Sequence, residues 1–377
     1  MISSSNKTIP VFAAATAAAI MFASAGVAAW EHWPQAALWH LVFATGALPL
    51  ILAAMAYFVP VLTRTGTAPS GTTLFPLTAL AAGIGIVGWF AHGVPALRLI
   101  PPWLALATVA GFGLWLARRW RGSLGHPNPC LHWYAAALGC LGLGLAAAGL
   151  SPLLPDQAHA LRLFHLHLNT LGFMGLTALG TLQVLLPTVM GRPDPAAMAR
   201  LRHDLKWSAG GAVAIAAGSA WNLWPLALAG TTAYAWPVVR LLAGAWRAFG
   251  GALLAGGHAA PLLLAATAGL LAAVGHGIGH GAGTAGGRDA LPLFAIGFLL
   301  PLVSGAVAQL LPVWLRPGTR TEWHGAVRTR LTFGARMRAV ALLTGGPLAA
   351  AGSAPGYGIG IVAALWLLAA MAATLRK

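Results

Sequence analysis

The chain has 377 residues, 58% of them hydrophobic and 7% charged, and its mean hydropathy of +0.77 excludes an ordinary water-soluble globule. Twenty-two lysines and arginines against six acids give a formal charge of +16. The basic residues are dispersed through short segments between apolar runs, which excludes a nucleic-acid-binding face and points to a membrane protein in contact with the lipid bilayer.

Apolar runs of about 18 to 25 residues, long enough to cross a hydrocarbon core as helices, recur from end to end. The first, 10–29, resembles a signal peptide in its preceding Lys7 and small residues, but we read it as a retained helix, because its removal would leave an odd helix number. Further helices are predicted at 37–62, 74–92, 98–117, 132–150 and 161–187. A pair at 207–224 and 226–243 meets around Trp224 and Pro225, and four more follow at 259–278, 290–314, 337–353 and 357–375. The longest connections, 188–206 and 315–336, are short and basic, so residues 1–377 read as a single polytopic domain. Cys130 and Cys140 have no CxxC spacing, which argues against a disulfide or a thiolate metal site.

With twelve helices, 19 of the 22 basic residues fall in the termini or in alternate loops, and only Arg98, Arg162 and Arg288 fall in the others. The positive-inside rule then puts both termini in the cytoplasm of a bacterial-type inner membrane. Three segments align on a final proline: "HLVFATGALPLILAAMAYFVP" ending at Pro60, "HLNTLGFMGLTALGTLQVLLP" at Pro187, and "PLFAIGFLLPLVSGAVAQLLP" at Pro312. Gly172, Phe173, Gly180, Leu185, Leu186 and Pro187 match Gly297, Phe298, Gly305, Leu310, Leu311 and Pro312. The segments occupy the second, sixth and tenth helices, so the unit is four helices, about 8–131, 132–257 and 258–377. The expected architecture is an all-α pseudo-threefold ring of three such repeats, each shared proline marking a cytoplasmic helix end.

The histidines sort by side on this topology. His126, His132, His203, His258 and His324 lie in or beside basic loops, where solvation suffices. His32 and His159 fall in polar loops on the outer side, also as solvated groups. His40 and His167 take equivalent places in two repeats, twenty residues before the shared prolines. His165 lies about 200° around the helix from His167 and faces a different neighbour. His276 and His280 are spaced i, i+4 at the outer end of the ninth helix, a spacing that can chelate one metal ion, and His92 ends the third helix on that side. Neutral imidazoles inside apolar helices suit axial ligation of heme, with His40 and His167 as the expected pair, and Arg162 stands one turn before His165 where it can meet a propionate. The metal-ligand candidates are therefore His40, His165, His167, His276, His280 and His92.

The run "HLHLNTLGFMGLTALGTLQVLLP", through His165, His167, Gly172, Phe173, Gly175, Gly180 and Pro187, resembles the tenth helix of the catalytic subunit of C-type heme-copper oxidases. The resemblance implies that His165 is the proximal ligand of one heme and that His167 and His40 clamp another. Here the motif stands on the sixth helix, the seventh helix, "WSAGGAVAIAAGSAWNLW", has no histidine for the family's copper site, and the predicted spans carry no Asp, Glu or Lys. Proton pumping is therefore not expected. The chain also resembles the smaller NnrS-type membrane proteins associated with nitric oxide tolerance and denitrification, although the "LWHLVF" of its second helix lacks their HxHE.

These readings lead to a protein that binds one or two b-type hemes, with copper as an added candidate at His276 and His280, and acts as an oxidoreductase on, or responds to, nitric oxide or another small gas. The competing readings are a non-catalytic electron-transfer or cofactor-assembly protein and a histidine-lined metal transporter. The last has the repeats in its favour and the lack of charged midplane residues against it.

Overall fold

The structure, a computed structural model, describes residues 9–30, 32–286 and 290–375, and no strand occurs among them. Lys7, Arg288, Arg376 and Lys377 of the charge count lie outside the described residues. Helix covers each of the apolar runs. These helices are α1 (Ile9–Trp30), α2 (Gln35–Thr63), α3 (Leu74–His92), α4 (Ala96–Arg121), α5 (Cys130–Leu150), α6 (Pro155–Met190), α7 (Leu205–Ala220), α8 (Trp224–Phe249), α9 (Ala260–Gly281), α10 (Ala290–Leu315), α11 (Ala335–Ala350) and α12 (Ala354–Leu375). Among the described residues nine are long and apolar enough to cross a membrane, and α7 and α11, at 16 residues each, fall short. In α1 the apolar stretch is Ala13–Ala25. The chain is thus an all-α, multi-pass membrane protein, since helices alone satisfy their own backbone groups in lipid.

The three prolines do not end their helices. Pro60, Pro187 and Pro312 lie inside the last turn, and helix continues three residues further, to Thr63, Met190 and Leu315. After α2 and α6 the chain leaves through the same bond, Thr65 N–H to Pro60 O at 3.0 Å and Arg192 N–H to Pro187 O at 3.3 Å. A second shared feature was invisible to hydropathy. α2, α6 and α10 each contain a widened, π-helical stretch, Leu41–Ala47, Leu168–Gly175 and Leu293–Leu299. Leu41, Leu168 and Leu293 each stand 19 residues before the shared proline, directly after His40, His167 and Pro292. A π turn carries one extra residue and releases carbonyls from the i−4 ladder, and such turns favour functional sites. In the first two repeats a threonine fills part of that deficit, Thr45 Oγ1 donating to Leu41 O and Thr170 Oγ1 to Leu166 O.

The described residues form two compact units. In one, His32–Gln183 with Ala197–Pro237, α2 packs on α3, α3 on α4, α4 on α5, and α6 on both α5 and α7. The Arg119 guanidinium at the end of α4 donates to Thr65 Oγ1, Gly66 O and Thr67 O at 3.2, 2.8 and 3.1 Å, which ties down the turn after α2. The short helix Ala197–His203 is held inward, with Trp133 Nε1–H donating to Leu201 O and Arg200 Nε–H to Gln183 Oε1, each at 2.8 Å. Arg200 and Asp204, within the basic connection 188–206, are buried, at 4% and 0% exposure. Replacing Arg200 by leucine should destabilise the protein by about 2 kcal/mol, the scale of a buried charged hydrogen bond. Thermal unfolding in detergent checks this, with Arg202→Leu at an exposed position expected to leave the midpoint unchanged.

In the other unit, Met1–Glu31 with Val184–Ala196 and Val238–Lys377, α10 packs against α9 and α11, α11 against α12, and α1 against α12 and α10. The helix Glu322–Leu331 covers α10 and α12. Here the sequence reading of His324 is corrected. It is 3% exposed and structural: its Nδ1 accepts from Thr321 N–H at 3.1 Å, and its Nε2–H donates to Arg316 O at 2.8 Å. Its short reach back to the helix start made it a cap rather than a solvated loop group.

Candidate functional site

Four helices of the first unit bring polar groups together at the end of the bundle away from Arg64 and Arg119. His40 is the sixth residue of α2 and His165 lies in the regular α-helical part of α6, before its π turn. Their ring centres are 6.2 Å apart with planes inclined by 13°. Phe90 of α3 lies against His40 at 4.9 Å, and α5 contributes the Gly144 carbonyl. Trp33, Trp89 and His92 surround this end, with Arg98 over Trp89 at 5.8 Å and Trp33 edge-on to His92 at 6.4 Å. Such an aromatic rim suits the membrane–water boundary.

The tautomers follow from the partners, because a carbonyl can only accept. His40 Nδ1–H donates to Ala36 O at 2.7 Å, His167 Nδ1–H to Leu163 O at 2.9 Å, and His165 Nδ1–H to Gly144 O at 2.9 Å. The first two are the same i−4 bond in two repeats. All three imidazoles thus have Nδ1 held by a backbone acceptor, as metal-ligating histidines have their second nitrogen held.

Asn169, one turn after His165, was not singled out from sequence, although its i+4 spacing was visible there. Its amide nitrogen is 2.8 Å from His165 Nδ1 and 3.2 Å from Nε2, and its Oδ1 is buried without a hydrogen-bond partner. Since Nδ1 is committed to Gly144, the only lone pair this nitrogen can donate to is that of Nε2. Asn169 therefore guards the ring of His165 in this structure. Gly144 makes room for it: a Cβ there would stand 3.1 Å from Asn169 Oδ1. Phe90 and Gly144 carried no sequence signal, because an aromatic or a glycine in an apolar helix is ordinary.

The structure brings the His40 ring against that of His165, whereas the sequence reading expected His40 to share a heme with His167. Equal depth in two repeats does not determine which face of the second helix looks inward. His167 bonds its own helix, and His165 turns to α5 and α2. Arg162 is exposed and its Nε–H donates to Ala158 O at 3.0 Å within its own helix. His276 and His280 sit in the second unit, the first half-buried and the second exposed. His276 Nε2–H donates to Gly286 O at 3.3 Å and His280 Nδ1–H to Ala285 O at 3.0 Å, so both hold the turn that follows α9. His32 and His159 are exposed, as expected of loop histidines. Among the described residues no three His, Cys, Asp or Glu side chains converge to hold a metal ion.

An imidazole nitrogen binds a metal at about 2 Å and stands about 1.1 Å from its own ring centre, so two rings in line on one ion are about 6 Å apart. The 6.2 Å between His40 and His165 matches that span, and it also lies within the range of an ordinary ring–ring contact. Two neutral nitrogens suit a cofactor that brings its own equatorial donors, and heme fits this set better than an ion held by protein alone. No protein-family model matches the chain, and neither a curated protein nor a solved structure does.

Proposed function

We propose that this is a heme-binding integral membrane protein of the heme-copper oxidase-like superfamily, in which His40 and His165 hold one heme, and that it acts on or responds to nitric oxide or another small gas. The observation that carries the reading is the shared locking of Nδ1 on backbone carbonyls, with two of the Nε2-bearing rings at metal-spanning separation. Heme held by these residues would supply a redox-active iron, which is the centre at which a diatomic gas could be bound or reduced. The chain's own part is to fix the tautomers through Ala36 and Gly144, to exclude water with Phe90 and the aromatic rim, and to move Asn169 off His165. His167, whose Nδ1 is held by Leu163 O, is the candidate for a second heme, and Arg162 for contact with a propionate once it leaves Ala158. Copper has no convergent three-ligand set here and enters the proposal only as an ion at the His276 and His280 pair.

The finer architecture belongs to the same proposal: twelve spans in three four-helix repeats arranged as a pseudo-threefold ring, with both termini cytoplasmic in a bacterial inner membrane. Its support is the recurrence of a π turn 19 residues before a proline that lies three residues inside a helix end. The third repeat keeps the turn and has Pro292 where the others have histidine, so it reads as the structural member of the three.

The test is optical. Protein purified in detergent from heme-replete cells should show a Soret band, and carbon monoxide added after reduction should shift it if an iron position is open. A colourless preparation that takes up no added hemin would overturn the heme reading. A heme spectrum without a carbon monoxide shift would remove the gas chemistry and leave electron transfer.

A further inference from the structure

α4 and α5 pack on each other in the first unit, yet they do not close along their whole length. A cleft of about 460 Å³ runs between them, walled by Leu106, Ala110, Gly113 and Ala117 of α4 and by Ala135 and Gly139 of α5, with Trp120 at one end. From Leu106 to Trp120 the α4 wall is about 21 Å long at 1.5 Å per residue, more than the roughly 15 Å of hydrocarbon in one leaflet. The glycines here do not serve close packing. A Cβ on Gly172 of α6 would stand 2.6 Å from Cys140 Cβ of α5, whereas a Cβ on Gly113 or Gly139 would have nothing within 4 Å. The space beside them is therefore left open by the chain on both walls.

One end of the cleft is built differently from the rest. The ring of His132, in the first turn of α5, stands edge-on to Trp120 at 4.5 Å, so the two walls meet there in an aromatic pair of the kind that sits at the membrane–water boundary. Arg121 follows Trp120 directly. It lies one turn beyond Ala117 and two beyond Gly113, which puts it on the stripe of α4 that lines the cleft. Arg121 is exposed, as is Arg118, while Arg119 is committed to the turn after α2. Nothing acidic offsets these cations within this part of the chain, because no Asp or Glu occurs from His32 to Pro155. An apolar cleft in membrane-crossing helices that opens at an uncompensated cation matches both halves of an anionic lipid.

We propose that this cleft holds one acyl chain of an anionic phospholipid, whose phosphate lies at the mouth beside Trp120 with Arg121 as its counter-charge. The chain occupies the space that Gly113 and Gly139 leave, and its methylenes gain dispersion contacts with both helices, the term that matters where apolar burial alone gives little. The site is independent of the heme reading: Arg121 ends α4 near the turn after α2, and His40 and His165 lie at the other end of the bundle.

Native mass spectrometry of the full chain, purified in detergent, tests this by following uptake of the first lipid as dioleoylphosphatidylglycerol or dioleoylphosphatidylcholine is added. The wild type should bind the phosphatidylglycerol about fivefold more tightly, the worth of one surface cation to an anionic headgroup. Arg121→Gln should bring the two lipids level. Arg247→Gln, at an exposed arginine of the other unit, should change neither. Gly139→Leu, which fills the cleft, should weaken phosphatidylglycerol at least fivefold, the lower end of an overpacking penalty, without lowering the thermal midpoint of the lipid-free protein. Should that variant fail to fold, Gly113→Leu closes the cleft from the opposite wall. Equal binding of the two lipids by the wild type overturns the proposal. So does a folded Arg121→Gln or cleft-filling variant that takes up phosphatidylglycerol as the wild type does.

Discussion

Purified from heme-replete cells, a His165→Ala variant should lose at least tenfold in bound heme per protein while keeping its helical circular dichroism. Second-shell changes at metal sites already weaken binding 10- to 100-fold, and here a ligand itself is removed. His40→Ala should match it, and the double variant should lose no more than either alone, because two ligands of one iron act as a unit. His167→Ala discriminates. If His40 and His165 are the pair, as their 6.2 Å separation favours, His167→Ala keeps that component of the spectrum. If His167→Ala removes it and His165→Ala does not, the pairing proposed here is wrong although the protein binds heme. Asn169→Ala belongs to the same series. Freed of the amide that sits 3.2 Å from Nε2, His165 should take up hemin faster in stopped-flow mixing than the wild type. An unchanged rate would mean that Asn169 does not guard the ring.

Much of the helical layout was legible in the chain, and the reason is physical. Lipid solvation forces every spanning segment to be both apolar and helical, so hydropathy alone located α2 through α6 and α9 through α12 to within a few residues. What hydropathy could not carry is rotation about the helix axis. In a soluble helix the polar stripe announces the outward face, but α3, α5 and α12 are apolar all round, so neither partner choice nor the inward face is written in composition. That the ring beside His40 is His165 is a fact of this kind, set by rotation about the axis of α6. The π turns were missed for a related reason: an extra residue per turn changes no hydrophobic count, and only the alignment on Pro60, Pro187 and Pro312 hinted that the same 19-residue span recurs. Loop charges misled in the other direction. Arg200 and His324 stand in basic connections and are nonetheless buried, because short loops between closely packed helices have little room to reach water.

Gly269→Ala should be among the most damaging single-methyl changes in this protein, and the reason lies in how closely α9 and α11 pack on the π turn of α10. α9 crosses the π turn of α10 so closely that a Cβ on Gly269 would stand on the Gly297 carbonyl, well inside any allowed contact, with Phe298 N at 3.1 Å. From the opposite side α11 brings Gly346 to the same point, where a Cβ would be 2.9 Å from Gly297 Cα. Backbone thus meets backbone on both faces of Gly297, and no side chain can rotate away to admit a methyl group. Helices in lipid gain little from apolar burial and depend on such close approach, so separating α9 from α10 forfeits dispersion contacts along the whole crossing. The expected loss is about 3 kcal/mol, the upper range for overpacking a rigid contact. Gly275→Ala, on the same helix with nothing within 4 Å of its Cβ, is the matched control and should be neutral or slightly stabilising. Thermal unfolding of the two variants side by side decides it. Equal midpoints would mean that α9 and α10 do not touch as described. A large drop confined to Gly269→Ala would show that the third π turn, which follows Pro292 rather than a histidine, is kept for packing. The first two repeats use the corresponding turn differently: His40 and His167 stand immediately before it, each bonded four residues back along its own helix. One backbone device would then serve two ends, holding helices together in one repeat and presenting imidazoles in the other two.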